Sequence, residues 1–202
     1  MASRSPLSST QVTAVIAVLA RFALRDQLLI MLGLRTGFRI SELLSLNIAD
    51  VVTADGVVTD LTVSRRWLKN GRGDRVRRIS SRRVPLVPAA RELLSTYVAF
   101  RQARGARACD PLFLSTRQRG RLSRWQANRI VHRIFTAAGV PATLAIGTHS
   151  MRKTFARSVY EATGHDLNLT RHVLGHRHAD TTLRYLCVEE DQARAAVLAI
   201  AS

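Results

Sequence analysis

The chain has 202 residues, 47% of them hydrophobic, which suffices for one well-packed domain, or one with a small lobe, and excludes wholesale disorder. Its 31 basic residues against 14 acidic leave a net charge of +17 and a pI near 11.7, pointing to a polyanionic partner, nucleic acid ahead of an anionic membrane surface. Cys109 and Cys187 are too few and too far apart for a disulfide framework or metal centre, no apolar run approaches the ~20 residues of a membrane span, and the N-terminus carries no secretory signal, so a cytoplasmic protein is expected.

The first predicted helix covers 7–20, with Ser8 or Ser9 placed to cap it. A second covers about 23–35, where Leu24, Leu28, Leu29, Leu32 and Leu34 give a broad apolar face, and Thr36-Gly37 breaks it. A third begins near Ile40, which sets Arg39 at a break between two buried helices with Glu42 three residues on, on the same side. An arginine among so many leucines needs a partner, because an unpaired buried charge is costly.

From Val51 the period shortens to that of strands: Val51-Val52, a turn at Asp55-Gly56, then Val57-Val58 and Leu61 to Val63. Asn70-Gly71-Arg72-Gly73 reads as a hairpin tip and Arg83 to Pro88 as the return strand, with Pro85 placing it at an edge. Between Arg65 and Arg83 lie eight arginines and Lys69 against the single Asp74, a strongly basic hairpin. Helix resumes over 89–103, and Leu112-Phe113-Leu114 reads as a short buried strand. Six more arginines fall in 117–133. Ser123 caps a predicted helix from Arg124 to about Ala138, closed by Gly139. Thr148 is the expected N-cap of a helix to about Thr163, Asp166 the cap of another to Leu174, and Gly175 its stop. A nearly all-apolar helix over about 188–200 ends the chain. The fold class is mainly α with a small antiparallel β-sheet, α+β, in a single domain over 1–202.

Within 148–185 stand His149, Arg152, His176 and Tyr185. His149 and Arg152 share a helix start, where unpaired amides and the positive dipole end favour a phosphate. A guanidinium grips two phosphate oxygens as a fork. A tyrosine with its ordinary pKa of about 10 is only about one part in a thousand ionised near neutrality, so neighbouring bases or cations must activate it. No carboxylate cluster suits a two-metal nuclease, and no metal or cofactor is expected. Singly, each part has a plain structural explanation: a solvated helix start, a helix stop, a core tyrosine, an ion pair of Arg39 with Glu42. Their combination, in this order and spacing, is what points to phosphodiester chemistry.

The residues resemble the catalytic domain of the tyrosine recombinases, the phage-integrase group. Thr36-Gly37-Phe38-Arg39-Ile40-Ser41-Glu42-Leu43 is similar to that family's first arginine box. His149-Ser150-Met151-Arg152 is similar to its His-x-x-Arg box, and Leu174-Gly175-His176 with Thr181 to Tyr185 to its final segment. The resemblance implies a tyrosine recombinase catalytic-domain fold and site-specific cutting and rejoining of DNA, for integration, excision, inversion or resolution. It implies Tyr185 as nucleophile forming a 3′-phosphotyrosyl bond, Arg39 and Arg152 on the non-bridging oxygens, His149 and His176 assisting, and Glu42 in support. A hairpin lysine completes the family's set; Lys69 is the candidate, with Arg77 the other residue that falls near that place. Arg65, Arg66, Arg72, Arg75, Arg77, Arg78, Arg121 and Arg124 are the expected DNA contacts.

Members of this family usually carry an N-terminal clamp domain, and the resemblance, beginning at Pro6-Leu7-Ser8, leads to the expectation of a catalytic domain without it. The resemblance also implies double-stranded DNA as partner, a homo-tetramer on paired sites, accessory DNA-bending or directionality proteins, and no membrane. The tail 186–202 is expected to dock on a neighbouring subunit or to pack on its own core. Two other activities share much of this chemistry: a type IB topoisomerase, and a relative that binds DNA without cutting it.

Overall fold

The computed structural model describes residues 4–63, 82–115, 120–175 and 182. The predicted hairpin tip and the final helix over 188–200 lie outside them. Two compact units divide the chain, Met1–Phe155 and Ala156–Ser202, with the boundary inside the sixth helix. Among the described residues no helix is long and apolar enough to cross a membrane.

The first unit opens with α1 (Ser9–Val18), capped as expected by Ser8: its hydroxyl accepts from the Gln11 amide while the Gln11 side chain accepts from the Ser8 amide. α2 (Leu24–Thr36) follows, and α3 (Ile40–Ser45) starts after a three-residue break. α2 is buried on nearly every side, packing along α4 (Pro88–Gln102) and against α3; Leu28, Leu29 and Leu32 are fully enclosed. Each such leucine contributes about 1.5–3 kcal/mol through burial. α5 (Arg124–Ala137) packs on α1 and α3, capped by Ser123 through the same reciprocal pair with Gln126.

Strand structure differs in detail from the single sheet expected. β1 (Val52–Thr53) pairs with β2 (Gly56–Val57), and separately β3 (Asp60–Val63) pairs with β4 (Arg82–Pro85); both ladders are antiparallel. The β3–β4 register sets Asp60 opposite Pro85 and Val63 opposite Arg82. The buried stretch Leu112-Phe113-Leu114 is not a strand; its one ladder contact is a bridge from Leu114 to Arg121. Side chains take the carbonyls of Leu112 and Leu114, while the Leu122 amide donates to Phe113 O at 2.8 Å. The Tyr97 hydroxyl and Arg101 donate to Leu112 O at 2.9 Å each, and Arg25 donates to Leu114 O at 2.8 Å.

An ion cluster built on a buried carboxylate joins the start of α2 to α5. The Asp26 carboxylate, 1% exposed, accepts from Arg25 at 2.8 Å and from Arg133 at 2.6 Å. The N-terminal segment also lies down on this unit, with Ser5 N donating to Ala145 O and Leu7 N to the Thr154 hydroxyl, both at 2.9 Å.

α6 (Thr148–Ala162) begins one residue earlier than expected, so Thr148 is its first helical residue and not its cap. Gly147 precedes it, and its amide donates to the Ser150 hydroxyl at 3.1 Å. In the second unit, Gly164 and His165 are both left-handed and turn the chain from α6 into α7 (Leu167–Leu174). Asp166 caps α7 as expected, accepting from the amides of Asn168 and Leu169, and Gly175 ends it in the left-handed conformation.

Candidate active site

Gly37 ends α2 at φ 58°, ψ 22°, a conformation that side chains disfavour. A Cβ there would also meet the Phe155 ring at 2.3 Å, and one on Gly33, a turn earlier, would meet the Met151 sulfur at 2.5 Å. Two glycines four apart therefore let α6 lie close against α2. That close approach brings Arg152, 1% exposed and one residue past Met151, to the end of α2, where its Nη1 donates to Gly37 O.

Two residues after Gly37, Arg39 enters α3 as its N-cap in extended conformation. The Glu42 carboxylate accepts from the Arg39 amide at 2.7 Å and from Arg39 Nη1 at 2.8 Å. The carboxylate is the buried partner, at 5% side-chain exposure, while the Arg39 side chain is 42% exposed. Glu42 thus holds the guanidinium from below and leaves it half open to a ligand. Sequence spacing predicted this pair; its burial is the reverse of an arginine sunk among leucines.

His149 lies on the exposed side of the first turn of α6, three residues before Arg152. Protein around the ring, followed by the charges of Arg152, Arg39, Arg4 and Lys153, lowers its pKa below the ordinary 6.5. The imidazole is therefore neutral at pH 7, with a lone pair able to accept a proton. Arg4, which no motif marked, enters because its Nη1 donates to Ile146 O at 2.8 Å, just ahead of the α6 start.

A second residue that motif reading passed over is Arg82 on β4. Its Nη2 donates to Thr36 O, its Nη1 to Gly37 O at 3.2 Å, and its Cζ stands 4.5 Å over the Phe38 ring. Burial, then the charge of Arg152, lowers its pKa to about 9; Glu42 opposes this and Arg39 adds to it, and the group stays charged at neutral pH. The sequence placed Arg82 in a basic run, and only the fold distinguishes it from its neighbours.

Arg39, Glu42, His149 and Arg152 are thus brought together. Lys69, His176 and Tyr185 lie outside the described residues, as do Arg65, Arg66, Arg72, Arg75, Arg77 and Arg78. Arg121 and Arg124 line a shallow depression beside Ser41, Leu44 and Ser45. Arg124 is exposed. Arg121 donates to Leu44 O, to Leu46 O at 2.9 Å and to the Asn47 side chain at 2.8 Å, holding the end of α3.

Several known proteins are similar to this chain. A probable integrase/recombinase, YoeC, of Bacillus subtilis (strain 168) is 30% identical over 172 residues, covering 85% of this chain and 82% of that protein. A tyrosine recombinase XerC of Mycobacterium sp. (strain KMS) is 34% identical over 175 residues, covering 86% of this chain but 52% of the relative, so the chain spans about half of such proteins. The crystal structure of XerA recombinase superposes with a TM-score of 0.74 at 23% identity, over 97% of this chain and 65% of that one. XerH site-specific recombinase bound to palindromic difH substrate, a post-cleavage complex, gives 0.70 at 25% identity, over 96% of this chain and 52% of that one. The Phage integrase family matches residues 6–192, from the segment before α1 to beyond Tyr185. With its first arginine box and its His-x-x-Arg box meeting at the Gly37 turn, the chain belongs to the phage integrase family and has the fold of a tyrosine recombinase catalytic domain.

Proposed function

We propose that this protein is a site-specific DNA recombinase that cuts and rejoins double-stranded DNA through a 3′-phosphotyrosyl intermediate. The observation that carries this reading is the docking of Arg152 on Gly37 O, two residues before Arg39, so that two guanidiniums from separate motifs belong to one locus beside a single carboxylate. A phosphodiester placed there is held through its non-bridging oxygens, and charge developing on them in the transition state is stabilised by donors already in position.

In this reading the Tyr185 oxygen attacks phosphorus while the bond from phosphorus to the 5′-oxygen breaks. The phenolic proton passes to a base, for which neutral His149 is the candidate, and Lys69 protonates the leaving 5′-oxygen. His176 hydrogen-bonds the phosphate and Glu42 braces Arg39. Rejoining runs the same steps backwards with the 5′-hydroxyl of a second strand. The basic hairpin arginines with Arg121 and Arg124 supply phosphate contacts outside the site, and assembly on paired sites as a homo-tetramer, with accessory DNA-bending or directionality proteins, completes the reading. XerH has been crystallised on its difH substrate, which supports DNA as the partner of this relative too.

The test is a duplex selected by the protein from a random-sequence pool, nicked so that the cleaved end is lost, and resolved on a denaturing gel. A covalent adduct that disappears in Tyr185→Phe is expected. Binding without an adduct would instead fit a relative that does not cut.

A further inference from the structure

We propose that Arg82 is a positioning residue of the phosphate site: its guanidinium, forked across the carbonyls of Thr36 and Gly37, fixes the turn from which Arg39 and Arg152 reach the phosphate. The proposal rests on the recombinase reading above for its reaction, and on geometry alone for its placement.

Arg82 touches three consecutive residues ahead of Arg39. Its two Nη atoms take Thr36 O and Gly37 O, and its plane lies over the Phe38 ring. Both carbonyls lie at the C-terminal end of α2, where they have no partner inside the helix and where the dipole favours a cation. Gly37 O is also the acceptor that seats Arg152. One carbonyl thus receives donors from β4 and from α6, and the next residue but one carries the half-open guanidinium of Arg39. A rotation of the Gly37 peptide would move Arg152 and Arg39 together; Arg82 is the group that opposes it from the strand side.

Charge sharpens this. Arg82 sits half-buried among Arg152 and Arg39, and among the described residues the Glu42 carboxylate offsets them. Tying down a turn requires only a neutral donor, and a third cation here costs free energy in the unliganded protein. A guanidinium does what a neutral donor does not: its fork fits two adjacent carbonyls at once, and its charge adds to the field at the phosphate. Arg82 is also the strand residue opposite Val63, so it ties that end of the β3–β4 ladder to the arginine turn.

The experiment compares wild type, Arg82→Lys and Arg82→Met on the selected nicked duplex, measuring half-site affinity and single-turnover cleavage separately. It adds amide hydrogen exchange over 34–45 and thermal melting. For Arg82→Met, cleavage should fall about 10²-fold, as for a misplacement near 1 Å, with affinity within about threefold of wild type. Arg82→Lys, which keeps the charge and one donor direction, should recover cleavage to within about tenfold. Exchange at the 36–39 amides should quicken in Arg82→Met while the melting temperature is retained. The role is overturned if Arg82→Met cleaves within about threefold of wild type, if cleavage and affinity fall in the same proportion, or if both follow the folded fraction. Should wild type form no adduct, the recombinase reading falls by itself, and exchange decides the rest: unchanged protection at 36–39 overturns the placement of Arg82, and lost protection in an intact fold supports it.

Discussion

The carboxylate of Glu42 accepts both the amide and a guanidinium N–H of Arg39, so substitutions there separate two roles. Glu42→Gln keeps an oxygen for the amide but loses the charge under the guanidinium. We expect about 1 kcal/mol or less of lost stability in urea, since Arg39 is partly exposed and its pair is screened. Single-turnover cleavage should fall further, by about tenfold or more, because the guanidinium is left loosely aimed. Glu42→Ala removes the cap as well and should cost roughly another 1 kcal/mol. His149 offers a pH test. Its folded pKa lies below the ordinary 6.5, so the folded state binds fewer protons, and this contribution to stability is present above that value and lost as pH falls through the lowered one. Melting of wild type from roughly pH 7.5 down to about pH 5 should therefore fall more steeply than that of His149→Gln. Bound phosphate raises the pKa again by placing an anion beside the ring, which suits a group that must take up a proton during the reaction.

At the scale of elements, the turn at Gly37 carries the most consequence. Gly37→Ala places a methyl group in a left-handed conformation and into the Phe155 ring, and we expect a loss on the order of 2–4 kcal/mol from the two effects together. Cleavage should vanish even where the variant folds, which circular dichroism alongside the adduct assay would establish. Asp26→Asn should loosen α2 from α5 by about 1–3 kcal/mol, because Arg25 and Arg133 lose their charged acceptor. Helix limits were legible in the sequence because their signals are local: Ser8 with Gln11, Ser123 with Gln126, Asp166 with the amides just beyond it. The segment Leu112 to Leu114 was misread because its apolar run says only that it is buried. What the Leu112 and Leu114 carbonyls bond to is decided by Tyr97, Arg101 and Arg25, which the apolar run itself does not reveal. At the α6 start the error was one residue: Thr148 is already helical, and its amide donates to the Asn128 side chain.

For the whole molecule, the excess of 31 basic over 14 acidic residues sets how it meets DNA. Each phosphate neutralised releases counterions, so affinity for the selected duplex should drop about 10³-fold or more between roughly 50 and 200 mM salt. A binding constant almost indifferent to salt over that range would show that the arginines face solvent and not DNA. The site was half legible at this scale too. Arg39, Glu42, His149 and Arg152 could be named as candidates because each motif is short and ordered along the chain, and folding joins motifs over a hundred residues apart. Arg82 and Arg4 were not found because their partners, 45 and 142 residues away, are backbone carbonyls that leave no mark in a sequence. The anchoring of Arg4, Ser5 and Leu7 along 145–154 has a practical consequence for handling the protein. It fixes the point where anything attached ahead of Arg4 must emerge, next to the His149 end of the site. An acidic affinity tag fused there would be held at high local concentration beside the guanidiniums of the site and would act as a tethered competitor of the substrate, so a neutral or cleavable tag is the one to use for activity measurements.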